Sequence, residues 1–270
     1  MEGRWSVGQP HSAGPAVPQD ARDQLWLGLR ERLEEAVRNG PVLKAMERWL
    51  AGEPVPSFDD QIKAFGPLYA NHWYAMEHDI PLEEAWGGIH DTMAVSAERS
   101  EFVRRFGFAV PCKEALVVLA AHQPLLEIGA GAGSWACLLA MRGVDIVATD
   151  AMIEEFAAGI GTYFPVQKLQ GKTAVRRWPD RNVFCSWPSL NRTWLRQAAR
   201  AMRPGRFLIV VREDATADER TWDYVEDAFE PHGSYELVNF HYMHDRVEVW
   251  KKLSPMRQRR RPEHEETEDE

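Results

Sequence analysis

One segment limits the possible folds more than any other. Pro124-Leu125-Leu126-Glu127-Ile128-Gly129-Ala130-Gly131-Ala132-Gly133-Ser134-Trp135 passes from an apolar run into a turn with glycine at every second position. A helical stretch, Trp135–Met141, follows. A short apolar run bounded by glycines reads as a buried strand. Alternate glycines let the backbone turn tightly and approach a ligand closely. The start of the next helix adds free amides and the positive end of a dipole. A strand, a glycine turn and a helix in this order open a nucleotide-type α/β sheet, whose ligands lie at the carboxyl ends of its strands.

The chain after residue 112 repeats the rhythm. Short apolar runs at Leu125–Ile128, Asp145–Ala148, Phe164–Leu169, Asn182–Cys185 and Phe207–Val211 alternate with helical stretches, among them Asn191–Met202. This predicts a doubly wound, mostly parallel α/β sheet. Two further strands, Tyr235–Phe240 and Arg246–Lys251, stand too close together for a crossover helix and are expected to pair antiparallel.

Residues 20–111 read differently. Leu25, Leu29, Leu33 and Val37 recur at helical spacing until Asn39-Gly40 stops the run. Pro41 suits the first turn of a second helix, with Leu43, Met46, Trp49 and Leu50 on its inner face. Ser57 with Asp60 resembles a capping box, Pro81-Leu82-Glu83-Glu84 opens a short helix, and His90–Phe106 forms a longer one. The expected organisation is a tail over 1–19, a helical cap or lid over 20–111, a sheet domain over 112–253 and a charged tail over 254–270. The first tail carries three prolines and three glycines, and the last holds four arginines followed by six acids; neither can bury enough apolar surface to offset its ordering entropy.

Two details of the glycine turn select among ligands. The spacing is GxGxG, whereas dinucleotide binders use GxGxxG to seat a pyrophosphate. Glu127 stands two residues before the first glycine, where its charge would repel a pyrophosphate but favour an ammonium group. S-adenosylmethionine has that ammonium and no phosphate. Asp150 ends the next strand, 17 residues past Gly133, and a carboxylate there can accept both hydroxyls of an adenosine ribose. Ala151 and Met152 follow it and are placed to flank the adenine.

Together, E-x-G-x-G-x-G and the second-strand acid resemble the signature of class I S-adenosylmethionine-dependent methyltransferases, over roughly 112–252. An antiparallel pair at the end of a parallel sheet is also that family's habit. The resemblance implies S-adenosylmethionine as cofactor, with Glu127, Gly129, Ala130, Gly131 and Gly133 as the loop on its methionine side and Asp150 on its ribose. It further implies Gln170, just past the third strand, near the adenine amino group. Ser186 and Trp187 stand at the ligand edge of the fourth strand, in a Ser-Trp-Pro-Ser turn that lacks the Asn/Asp-Pro-Pro-aromatic pattern of adenine-modifying enzymes. Phe108, in the segment entering the sheet, is expected to stack near the sulfonium, where an aromatic face favours a cation.

Methyl transfer from a sulfonium is an in-line displacement that needs alignment, exclusion of water and sometimes a base. Candidate bases are His72, Tyr163, Glu213 and Asp214, none with a motif behind it. The aromatic and polar segment Tyr69–Tyr74 is the preferred substrate-side stretch. The acceptor expected is a small molecule, with a specialised metabolite among the candidates. Alternatives are a protein or RNA methyltransferase, with Arg257–Arg261 as a docking arm, or a non-catalytic cofactor-binding scaffold of the same fold.

The balance of 32 basic and 41 acidic residues, −9 overall, argues against a nucleic-acid partner, since phosphate binders carry surplus Lys and Arg. Three widely spaced cysteines form no CxxC pair, so no metal site is expected. No apolar run approaches the roughly 18 residues of a membrane span. With no secretory leader at Met1–Trp5, a cytoplasmic protein without a membrane partner is expected. Nothing in the sequence assigns an oligomeric state.

Overall fold

The computed structural model describes residues 19–66, 69, 76, 79, 81, 89–240 and 243–254. The helical region begins with α1 (Gln19–Asn39), α2 (Pro41–Leu50), α3 (Phe58–Phe65) and α4 (Ile89–Phe106). Gly40 separates α1 from α2, and Pro41 occupies the first turn of α2 as expected. Val42, Leu43, Met46 and Trp49 are buried at helical spacing on one face. Ser57 caps α3, its hydroxyl accepting from the Asp60 amide. Most of the expected helix at Pro81–Glu84 and most of the segment Tyr69–Tyr74, including His72, lie outside the described residues.

The sheet portion follows as α5 (Lys113–Ala121), β1 (Leu125–Ile128), α6 (Ser134–Ala140), β2 (Ile146–Asp150), α7 (Ile153–Phe156), β3 (Val166–Lys168), α8 (Gly171–Arg177), β4 (Asn182–Ser186), α9 (Trp194–Ala201), β5 (Phe207–Arg212), α10 (Glu219–Ala228), β6 (Phe229–Glu236) and β7 (Arg246–Lys252). The seven strands take the order β3-β2-β1-β4-β5-β7-β6. The first five pair in parallel, while β7 runs antiparallel to both β5 and β6. The order reverses direction between β1 and β4, which opens a crevice at the carboxyl ends of those strands.

The C-terminal pair differs from expectation in one respect. The sixth strand covers Phe229–Glu236 and not Tyr235–Phe240. Leu237, Val238 and Phe240 are fully or almost fully buried, but in the connection to β7. A short apolar run does not by itself distinguish a strand from a buried loop. The true strand is an edge strand with mostly exposed side chains, so it carries little apolar signal. Its Pro231 is tolerated there because an edge strand leaves one row of amides unpaired, and a bulge falls between Pro231 and Gly233.

Two hydrophobic layers sandwich the sheet. Ala174, Val175, Leu195, Ala198, Ala199 and Val225, from α8, α9 and α10, pack on one face. On the other, Leu116 of α5 and Leu138 of α6 join the same cluster as Met46, Trp49, Phe102 and Phe106 of the helical region. Phe102 and Phe184 are fully buried within it; burial of each such ring stabilises by roughly 1.5–3 kcal/mol. The helical region and the sheet therefore share one core. Among the described residues no helix is long and apolar enough to cross a membrane, and no cluster of His, Cys, Asp and Glu could hold a metal ion.

Candidate cofactor and acceptor site

The carboxyl ends of β1, β2 and β4 converge on the glycine loop. Gly129, Gly131 and Gly133 all adopt positive φ, at 71°, 55° and 81°, which only glycine adopts freely. The loop doubles back so that the Ala130 amide reaches the Thr149 carbonyl and the Gly133 amide reaches the Ala130 carbonyl.

Glu127 lies one residue inside the end of β1 and is 1 % exposed. The Ala136 amide, in the first turn of α6, hydrogen-bonds its carboxylate. Its Oε2 is shielded and has no partner among the described residues. Burial, reinforced by the nearby Asp150 charge, pushes its pKa up to about 8. A buried carboxylate with an unmet acceptor is costly, and a cation brought beside it would relieve both the desolvation and the repulsion from Asp150.

Asp150 ends β2, level with Gly129 by the β1–β2 register. It is buried. Its Oδ2 accepts from the Gly131 amide at 2.9 Å and its Oδ1 from the Met152 amide at 2.6 Å. Each oxygen keeps a second lone pair for a ligand hydroxyl. Around it the surface is apolar and open: Met152 is 49 % and Phe156 45 % exposed, and Phe156 stands beside the open side of Gly131. Two exposed apolar side chains next to a strand-end acid suit the flat face of a base. Ala151 is exposed in the same turn, and Gln170 is exposed just past β3 on the same edge. Phe156 carried no sequence signal beyond its position in the helix after Asp150.

Ser186 ends β4, and Trp187 follows it with φ of 54°. The Trp187 amide is held by the Val211 carbonyl. Phe108 stacks on the Trp187 ring at 4.8 Å with 13° between planes, so two of the expected site residues meet. The Trp187 indole donates to Asp245. Asp245 was not among the expected site residues. It is 3 % exposed, immediately before β7, and its pKa rises to about 7 chiefly through burial, which the Trp187 hydrogen bond partly offsets. No local motif marks it, because its partner is distant in sequence. Its backbone is held by Asn239, whose Oδ1 accepts from the Asp245 amide at 2.6 Å, and the Asn239 amide bonds the Tyr69 carbonyl.

The candidate bases are dispersed. Tyr163 turns to the helical region, packing on Phe106 and meeting Arg105; burial raises its pKa. Asp214 is exposed and paired with Arg246 at 2.8 Å, which holds its carboxyl below the usual range. That pairing makes it a poor proton acceptor. Glu213 is half-buried and acts electrostatically on Asp245.

The strand order and directions decide the fold. The chain has the class I methyltransferase fold. No family model matches the sequence, and no curated protein matches it. Solved structures with this fold are distant. TehB from Haemophilus influenzae is 16 % identical, with 57 % of this chain aligned to 66 % of that one at a TM-score of 0.35, so the chain spans just under two thirds of TehB. NodS, an N-methyltransferase from Bradyrhizobium japonicum, is 13 % identical over 52 % of this chain and 94 % of its own, at 0.37. The 1,6-didemethyltoxoflavin-N1-methyltransferase of Burkholderia thailandensis, solved with S-adenosylhomocysteine, is 15 % identical over 62 % and 92 %, also at 0.37. With scores this low, the assignment rests on the topology of the sheet.

Proposed function

We propose that this protein is an S-adenosylmethionine-dependent methyltransferase acting on a small-molecule acceptor. The observation that carries the reading is the unpartnered, buried Oε2 of Glu127 beside Asp150. A ligand for this pair must bring a cation to Glu127 and hydroxyl donors to Asp150, and the amino-acid and ribose ends of S-adenosylmethionine are such groups. The glycine loop between them leaves room for a closely approaching ligand at Gly131.

The cofactor supplies an electrophilic methyl group on a sulfonium. The chain's own residues do the rest. Glu127 orients the amino-acid end, Asp150 the ribose, and Met152 and Phe156 cover the base, with Gln170 at its edge. Gly129, Ala130 and Gly131 shape the loop against the ligand, while Phe108 and Trp187 close the acceptor side and exclude water. The helical region over residues 20–111 serves as the cap on that side. Transfer by alignment and desolvation needs no fixed catalytic side chain, which agrees with the dispersal of Tyr163, Glu213 and Asp214. The net charge of −9 favours a small-molecule acceptor over nucleic acid, and a cytoplasmic location is part of the same proposal. Arg257–Arg261, the docking arm of the macromolecular alternative, lies outside the described residues.

Calorimetry with S-adenosylmethionine and S-adenosylhomocysteine tests the cofactor, with micromolar affinity expected, on the order of −8 kcal/mol. NAD binding without any response to S-adenosylhomocysteine overturns the reading. Labelled methyl transfer into the small-molecule fraction of a cell extract, and not into its protein or RNA, tests the acceptor class.

A further inference from the structure

Among the described residues Arg99 forms no salt bridge. It lies on α4, half-buried, and its Nε is shielded from solvent with no hydrogen-bond partner among the described residues. Its guanidinium stands over the Trp187 ring at 5.9 Å from the centroid. The other arginines at the end of α4 are engaged: Arg104 pairs with Glu101 at 2.6 Å and Arg105 with Glu47 at 2.7 Å. Its charge acts on Asp245, but the hydrogen bond that Asp245 accepts comes from the Trp187 indole. A shielded guanidinium hydrogen left unbonded is expensive, and Arg is the side chain whose planar fork best matches carboxylate and phosphate oxygens.

Its place in the fold gives the vacancy meaning. By register, Ser186 of β4 is level with Val211 of β5, and Arg212 with Arg246 of β7. Trp187 and Asp245 therefore both stand at the carboxyl edge of the sheet, one strand position beyond the paired residues. Phe108 packs on the same Trp187 ring, so Arg99 stands beside an aromatic pair at the edge where ligands bind.

We propose that Arg99 anchors an anionic group of the methyl acceptor, a carboxylate or a phosphate, beside the Phe108–Trp187 pair. This rests on the methyltransferase reading. The acceptor class is then an organic acid or phosphate with a flat apolar part. Asp245, whose carboxyl holds its proton up to near neutrality, does not repel such a group strongly and in its protonated form can donate to it.

The test uses full-length protein saturated with S-adenosylhomocysteine and three probes: benzoate, phenyl phosphate and benzyl alcohol. Calorimetry and thermal shift should register at least one of the two anions and not the alcohol. Arg99→Gln should weaken that anion by about tenfold or more, with affinity for S-adenosylhomocysteine nearly unchanged. Arg99→Lys, which keeps the charge but loses the fork, should retain part of the anion binding and serves if the Gln variant fails to fold. Arg104→Gln should bind anions as the wild type does. Neither anion binding, or equal binding in Arg99→Gln, overturns the proposal. So does competition between benzoate and S-adenosylhomocysteine with loss of both in Arg99→Gln, which places the guanidinium on the cofactor's own carboxylate. If S-adenosylhomocysteine fails to bind the wild type, the methyltransferase reading fails by itself, and the same anion series on the free protein still decides whether Arg99 is an anion site.

Discussion

Gly131 donates its backbone N–H to Asp150 Oδ2 at 2.9 Å, and this bond ties the glycine loop to the end of β2 before any ligand arrives. Met152 ties the other oxygen. Asp150 is thus both the expected ribose acceptor and the clasp that shapes the loop around it.

Asp150→Ala should therefore lose twice. Affinity for S-adenosylhomocysteine should fall by about 10²-fold, since each charge-assisted bond is worth roughly 1.5–3 kcal/mol. The ligand-free protein should also lose about 1–3 kcal/mol of stability, because two loop amides lose their acceptor. Asp145→Ala is the control. Asp145 is exposed, lies just before β2 and pairs with Arg181 at 2.7 Å, so its loss should cost under about 1 kcal/mol and leave affinity unchanged. Calorimetry and thermal melts check both; equal losses of affinity at the two positions would put the ribose elsewhere.

Much of this was legible because the residues concerned act locally. The Leu125–Ile128 strand, the glycine turn and Asp150 form one contiguous unit whose apolar run and turn residues speak for themselves. Pro41 and Ser57 announced helix starts for the same reason. The sixth strand was misplaced because Leu237, Val238 and Phe240 are apolar for a different purpose: Phe240 packs on Phe102 at 5.2 Å and on Tyr69 at 5.8 Å, filling the seam under the helical region. Asp245 and Arg99 were invisible because their meaning comes from Trp187, which the fold brings to them from far along the chain.

Glu127 should make the ligand-free protein sensitive to pH. Its pKa is raised from 4.5 to about 8 by burial and by Asp150. Between those values the folded protein holds a proton that the unfolded chain has released, so this group's contribution is greatest below pH 4.5 and is lost as pH rises through about 8. Glu127→Gln should flatten that part of the stability profile in thermal melts. S-adenosylmethionine should release a proton on binding near neutrality, because its ammonium favours the ionised carboxylate. Calorimetry in buffers of different ionisation enthalpy reads this directly, and no release would mean that Glu127 stays protonated beside the ligand.

The seam between helical region and sheet should be sensitive to one hydroxyl. Tyr69 donates to Glu98 Oε2 at 2.5 Å, while Glu98 Oε1 accepts the Val42 and Leu43 amides at the start of α2. Burial raises the pKa of both groups. Tyr69→Phe keeps the ring against Phe65 and Phe240 but leaves Oε2 without this donor. A loss of about 1–3 kcal/mol is expected, seen in denaturant melts, with affinity for S-adenosylhomocysteine retained. No loss of stability would show that the carboxyl finds another partner.

Gly129 and Gly131 should separate packing from ligand approach. Both sit at positive φ, so either alanine carries a left-handed strain of about 1 kcal/mol. The space around them differs. A Cβ at Gly129 would stand 3.0 Å from Cη2 of Trp194, a partly buried side chain packed against the core cluster that contains Ile128. At Gly131 the nearest side-chain atom would be Phe156 Cγ at 4.0 Å, ordinary contact on an exposed ring. Gly129→Ala should therefore destabilise the ligand-free protein by more than Gly131→Ala, because strain and a steric shift of Trp194 add. Gly131→Ala should fold with little loss yet bind S-adenosylhomocysteine much more weakly, since its methyl group occupies the open side of the loop next to Asp150. Melting temperatures and calorimetry on the two variants give the comparison. Wild-type affinity in Gly131→Ala would mean that the ligand does not approach the loop from that side.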